Sequence, residues 1–165
     1  VCLPCGGSYR VLAALESPRA VTKLLQSKRR TKKAPSLVWV GSESLLDQVT
    51  DRVNERSRKL AAQFWPGPLT ILFEPSEELP RKVVKPLTKA NGKIGVRVPE
   101  NELARAVLDS YGGPLLVSSA NPQKKKGASS PAQVRKNFFG RVDLFVDAGD
   151  LPPAPHSMVV EVKGD

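Results

Sequence analysis

Phe64-Trp65-Pro66-Gly67-Pro68-Leu69-Thr70-Ile71-Leu72-Phe73 holds the sharpest change of pattern in the chain. Two prolines around a glycine cannot continue a helix, so the helical pattern of residues 51–64 stops there. The run 69–73 is short and apolar and reads as a strand. Strand and helix signals alternate on both sides of this stretch. Upstream, Ser17-Pro18 reads as an N-cap with proline in the first turn. It launches a helix over 19–27 whose Val21, Leu24 and Leu25 form one apolar stripe. Residues 36–40 read as a buried strand and 42–49 as a helix. Downstream, 94–98 is a strand stopped by Pro99, and Asn101 caps a helix that runs to Tyr111. Gly112-Gly113 turns the chain into a strand at 115–118. Residues 131–138 read as helix, and 142–146 and 158–162 as strands. Residues 83–93, broken by Pro86 and Gly92, take no assignment, and 122–130 is a polar loop.

This mixed order predicts an α/β domain with a twisted sheet flanked by helices. The 165 residues suit one domain, and we read 1–165 as a single unit trimmed at one or both ends, since it opens inside a strand. No apolar run approaches the roughly 18 to 20 residues of a membrane-spanning helix, so no membrane partner is expected. Residues 1–4 are apolar but lack the preceding basic region of a signal peptide. There is no P-loop and no G-x-G-x-x-G. His156 is the sole histidine, which leaves no Ser-His-Asp set. Cys2 and Cys5 are the only cysteines, so no second pair completes a zinc site, and no metal ligands are expected on the chain. These two thiols lie on an apparent strand, where residues three apart face opposite sides. They read as reduced thiols of a cytoplasmic protein rather than as a redox pair.

Twenty-six Lys and Arg against sixteen Asp and Glu give a net charge of +10 and a pI near 9.9. Such a balance fits a polyanionic partner, nucleic acid being the commonest, or simply a solubilising surface. Aromatic residues make up only 5% of the chain, too few for a broad platform of stacked bases.

Several stretches, taken in order, resemble the YrdC-like family. They are 64–70 as quoted above, Gly95-Val96-Arg97-Val98-Pro99, Pro114-Leu115-Leu116-Val117-Ser118-Ser119-Ala120-Asn121 and Gly127-Ala128-Ser129-Ser130-Pro131. Val142-Asp143-Leu144-Phe145-Val146-Asp147-Ala148-Gly149 and Ser157-Met158-Val159-Val160 follow at the expected places, so the match runs from about Pro4 to Val160. The resemblance implies a twisted, largely open mixed sheet flanked by helices around a basic concave groove. It also implies synthesis of threonylcarbamoyl-AMP from threonine, bicarbonate and ATP, with magnesium accompanying the nucleotide. A separate complex would then pass the threonylcarbamoyl group to tRNA.

By the same resemblance, Lys28 and Arg30 match the family's Lys-x-Arg beside the nucleotide phosphates and would carry the catalysis. Ser119, Asn121, Ser130 and Lys93 fall near the nucleotide. Arg97, Ser157 and Tyr9 fall on the amino-acid side, where a guanidinium is a natural partner for a carboxylate. Tyr9 could stack there or simply pack. The basic runs Lys28-Arg29-Arg30 with Lys32 and Lys33, and Lys124-Lys125-Lys126, would extend a phosphate-tracking surface for RNA.

The amino-acid side also departs from the family. The family's Pro-Thr-Asp/Glu-Thr-x-Tyr-Gly becomes Pro4-Cys5-Gly6-Gly7-Ser8-Tyr9-Arg10, and its Asn-Pro-Leu-x-x-His becomes Ala34-Pro35-Ser36-Leu37-Val38-Trp39. Trp39 is a core residue or a ligand neighbour. Three readings stay open: a divergent synthase, a catalytically impaired module binding tRNA or double-stranded RNA, and carbamoyl-adenylate chemistry on another acceptor, as in the related hydrogenase-maturation domain.

Overall fold

In the computed structural model, residues 1–28, 37–88, 91–121 and 127–163 are described. A hairpin of β1 (Cys2–Cys5) and β2 (Ser8–Ala14) leads into α1 (Pro18–Ser27) and β3 (Leu37–Trp39). A 3₁₀ helix at Glu43–Gln48 precedes α2 (Glu55–Phe64), β4 (Leu69–Phe73) and α3 (Arg81–Leu87). Then come β5 (Ile94–Arg97), α4 (Glu102–Tyr111), β6 (Leu115–Ser119), α5 (Pro131–Phe138) and β7 (Met158–Glu161).

The start signals act as local devices, each cap satisfying an amide that the helix itself leaves without a partner. The Ser17 hydroxyl accepts from the Ala20 amide at 3.3 Å. Asn54 and Asn101 accept from the Ser57 and Ala104 amides at 2.8 and 3.0 Å. Gly112 closes α4 at φ 77°, a left-handed conformation that glycine adopts without a Cβ penalty.

Among the described residues the strands form one mixed sheet in the order β1-β2-β6-β3-β5-β4-β7. The β3–β5 and β4–β7 pairs are parallel and the others antiparallel. Register sorts the side chains onto two faces. Cys2, Val11, Leu116, Val38, Val96 and Ile71 pack on one face, against apolar residues of α1, α2, α3 and α5. Leu3, Leu12, Val117 and Trp39 pack on the other, against Ala104 and Leu108 of α4. Register places Arg10, Ser119, Leu37 and Arg97 on this second face as well, where they stay half-buried.

Several expected elements change. The helix expected over 51–64 begins only at Glu55, because the Asp51 carboxylate accepts from the Ser76 hydroxyl and the Glu77 amide beyond β4. The helix expected at 42–49 is the 3₁₀ turn, and α3 begins at Arg81 and runs into the unassigned 83–93 as far as Leu87. Residues 142–146 are not a strand. They make a single bridge to β1, with the Cys2 amide donating to Leu144 and the Val146 amide to Cys2. The chain then turns away at Gly149, whose φ is 75° and whose amide donates to the Asp147 carboxylate at 3.0 Å. Strand β2 takes no assignment from the sequence, since adjacent Val11 and Leu12 are both buried and blur the two-residue period.

Candidate active site

Helix α1 ends at Ser27, and Lys28 caps it. Its side chain is 2% exposed, yet it is not isolated. The ammonium donates to the Ser118 hydroxyl at 2.7 Å and the Ser119 carbonyl at 2.6 Å, and lies 3.5 Å from the Ser119 hydroxyl. Buried ammonium groups need such partners, because desolvating the charge alone is costly. A fixed positive charge therefore sits where β6 ends. Asn121, also buried, continues the turn, its amide donating to the Ser119 carbonyl at 2.9 Å.

Ser130 serves as the N-cap of α5, its hydroxyl accepting from the Gln133 amide at 3.3 Å. Lys93 begins the turn into β5 and pairs with Glu161 at 3.0 Å, which holds that carboxyl below its usual range. Arg29, Arg30, Lys32, Lys33, Lys124, Lys125 and Lys126 lie outside the described residues.

On the amino-acid side, the turn at 65–68 positions Arg97. The Arg97 Nε donates to the Gly67 carbonyl at 2.7 Å, and the Gly67 amide returns a bond to the Val98 carbonyl at 3.0 Å. A Cβ on Gly67 would stand 2.2 Å from the Phe64 carbonyl oxygen, so this close turn requires glycine. Another Arg97 nitrogen faces Glu100 at 3.8 Å. Ser157 is placed beside β4, where the Thr70 hydroxyl donates to it at 3.4 Å.

For Tyr9, where the sequence left stacking beside the amino acid or packing open, the structure shows packing. Tyr9 is 0% exposed, and its hydroxyl donates to the Gly149 carbonyl at 2.7 Å and accepts from the Ala148 amide at 3.0 Å. Its ring meets Phe145 edge-on at 5.4 Å between centroids. Tyr9 packs in the core. Trp39 is likewise core, 1% exposed beside Leu115, Ala104 and Leu108.

Two features escaped the sequence. Ser118, next to the expected Ser119, is the hydroxyl nearer the Lys28 ammonium. Arg10 sits opposite Ser119 on β2, with a buried Nε that has no hydrogen-bond partner among the described residues. A lone arginine within the otherwise uncharged β2 was the available signal. Burial pushes the Cys5 thiol up, against the opposing pull of Arg10 and Arg97, so both cations act on one region. Among the described residues no cluster of His, Cys, Asp and Glu suits a metal ion.

A mixed seven-strand sheet with helices on both faces, one half-covered, and a buried lysine gripping serines at a strand end define a class: an α/β domain with an open sheet face. The whole chain, residues 1–165, matches the Sua5/YciO/YrdC family model, which carries the description telomere recombination, and the chain belongs to that family.

The chain is similar to the threonylcarbamoyl-AMP synthase of Pyrococcus abyssi, 27% identical over 162 residues, covering 98% of this chain and 46% of the relative. The Bacillus subtilis protein of the same name is 28% identical, covering 100% and 47%. The chain thus spans about half the length of these relatives. The crystal structure of P. abyssi Sua5 complexed with L-threonine superposes with a TM-score of 0.85 at 27% identity, over 98% of this chain and 46% of that one. Escherichia coli YciO shares the fold, with a TM-score of 0.81 at 22% identity over 99% and 78% of the two chains.

Proposed function

We propose that this chain is an L-threonylcarbamoyladenylate synthase, a nucleotidyltransferase that consumes threonine, bicarbonate and ATP in the service of tRNA modification. The observation that carries the reading is the Lys28 ammonium held by Ser118 and Ser119 at the end of β6, on a sheet that also presents Arg97. Support comes from the names of the relatives and from the threonine complex of one of them.

The chemistry needs a carbamate oxygen to attack the α-phosphorus of ATP while pyrophosphate leaves. Negative charge moves over phosphate oxygens, so fixed cations and orientation do most of the work. Lys28 supplies a compact charge at the nucleotide end, with Arg30 beside it in sequence, and Ser119, Ser130, Asn121 and Lys93 complete that side. Arg97 supplies the planar fork for the amino-acid carboxylate, next to Ser157. Magnesium would arrive on the ATP phosphates, which commonly keep it with few protein ligands. We place the reaction in the cytoplasm with residues 1–165 acting as one unit, and its labile product passing to a tRNA-modifying complex.

The test is incubation with ATP, magnesium, bicarbonate and threonine, followed by mass spectrometry for threonylcarbamoyl-AMP and pyrophosphate. Product that needs threonine supports the synthase. A folded protein that makes no adenylate with any amino acid removes it. The net charge of +10 and the changed residues at Cys5, Gly6, Gly7 and Trp39 favour a second reading, an RNA-binding module. In that case tRNA affinity falls steeply as salt rises, and salt-independent affinity would remove that reading too.

A further inference from the structure

Helix α1 ends one residue before Lys28, so whatever holds its last turn also sets where the Lys28 side chain starts. That turn holds itself weakly. The Leu24 carbonyl accepts from the Ser27 hydroxyl at 2.6 Å and, at a longer 3.3 Å, from the Lys28 amide. The last carbonyls of a helix lack donors within it, and a cation beside them is favourable. Helix α1 has no basic residue in its own last turn. Packing adds little on one side, because Leu24 and Ser27 line a cavity of about 300 Å³.

Arg141, 114 residues beyond Ser27, supplies the missing donor: its Nη1 donates to the Ser27 carbonyl at 3.2 Å. That carbonyl belongs to the planar peptide unit that includes the Lys28 amide. The far end of the Lys28 side chain is held by Ser118 and Ser119 at 2.7 and 2.6 Å. The lysine is thus pinned at both ends. Arg141 is itself half-buried, in a turn closed by its amide on the carbonyl of buried Phe138 at 2.9 Å. A second tie between the same segments, Lys23 to Asp143, lies at exposed positions, where an ion pair adds little.

We infer that Arg141 is a positioning residue for Lys28: it fixes the peptide unit from which the ammonium reaches the nucleotide end of the site. The inference rests on the synthase reading for what Lys28 does, and it adds a residue to that reading. Arg141 acts through the helix rather than on the substrates. Its loss frees the last turn of α1 beside the cavity, and the ammonium then meets the phosphates in fewer productive poses. Small displacements of a catalytic group are costly in rate even where binding survives.

The test is a double-mutant cycle of Arg141→Met and Lys28→Met, read by pyrophosphate release with threonine, bicarbonate and ATP. Methionine keeps the apolar stem of each side chain, and circular dichroism checks the fold of every variant. Arg141→Met should lower kcat about 5-fold with the KM for threonine unchanged. In Lys28→Met the same substitution should change kcat by less than about 2-fold, since the group it positions is gone. Arg141→Lys keeps a cationic donor and should restore part of the rate. Asp143→Asn breaks only the exposed tie and should stay within about 2-fold of the wild type. Hydrogen exchange needs no substrate: the Lys28 amide should exchange about 10-fold faster in Arg141→Met.

Equal losses from Arg141→Met with and without the Lys28 ammonium overturn the inference, as does a loss in Asp143→Asn that matches Arg141→Met. An unchanged kcat in Arg141→Met keeps the synthase and removes this role for Arg141. A wild type that makes no adenylate from any amino acid removes the synthase instead. Exchange at Lys28 then decides: faster exchange in Arg141→Met keeps the hold on Lys28, and unchanged exchange ends it.

Discussion

The ammonium of Lys28 donates to the hydroxyl of Ser118 at 2.7 Å, joining the last turn of α1 to the end of β6 across 90 residues of sequence. The contact makes one cation a structural tie and, in the synthase we propose, also the centre of the nucleotide end of the site.

Replacing Lys28 with methionine keeps most of the buried stem and removes the charge. Turnover should fall at least 10-fold, about 1.4 kcal/mol or more in the barrier. Arg30→Ala should lose a similar factor. Ser118→Ala should lose less, since the Ser119 carbonyl still holds the ammonium at 2.6 Å. Steady-state pyrophosphate release checks all three, and near-wild-type rates for Lys28→Met and Arg30→Ala would end the phosphate-clamp assignment.

Tyr9→Phe separates packing from ligand binding. Loss of the hydroxyl leaves the Gly149 carbonyl and the Ala148 amide without their partner. Urea unfolding should show a loss of about 1–3 kcal/mol, while threonine affinity stays unchanged. Weakened threonine binding with full stability would return Tyr9 to the amino-acid site.

These two residues also show what the sequence discloses. Lys28 and Ser119 stand out because they sit in short stretches of recognisable order, though Ser118 does not, and the helix caps because Ser and Asn announce them locally. Which of its two readings Tyr9 follows was not legible because its partners, Ala148 and Gly149, are remote in sequence, and no local pattern reports a long-range hydrogen bond. The strand expected at 142–146 failed for a related reason. Its apolar residues have the right composition, but pairing depends on how far β1 runs beside them, and that is one bridge. Arg10 lay in plain view, yet a charge in a strand acquires meaning only when the opposing face is known.

The buried Cys2 thiol gives a pH prediction. Burial pushes its pKa from an ordinary 9.0 up to about 11, with the nearby N-terminal ammonium opposing. Below pH 9 both the folded and unfolded thiols are neutral and nothing changes. Between about pH 9 and 11 the unfolded thiol ionises first, so the unfolded chain binds fewer protons. Stability should fall by up to about 1.4 kcal/mol per pH unit there. Denaturant titrations across this range should show a steeper fall for the wild type than for Cys2→Ala. Equal slopes would contradict a neutral, buried thiol.

Gly7 tests the segment that lies over the β1–β2 turn. A Cβ there would stand 2.5 Å from the Ala154 amide nitrogen and 3.1 Å from the Pro152 carbonyl oxygen. Both are backbone atoms, so Gly7→Ala must displace the chain around 152–154. Hydrogen exchange at residues 150–157 should accelerate, with a stability loss of about 1–3 kcal/mol for the overpacking. Exchange matching the wild type would show that the turn yields instead.

The bonds from Tyr9 to Ala148 and Gly149 carry a consequence for biosynthesis. The β1–β2 hairpin precedes its neighbours β6 and the 145–149 segment by most of the other strands and helices. Translation at roughly 5–20 residues per second leaves that hairpin unpaired for several seconds. The nascent protein therefore cannot complete its sheet in the order in which it is made. Its first strands wait, apolar and open to chaperones, for the residues that will bury them.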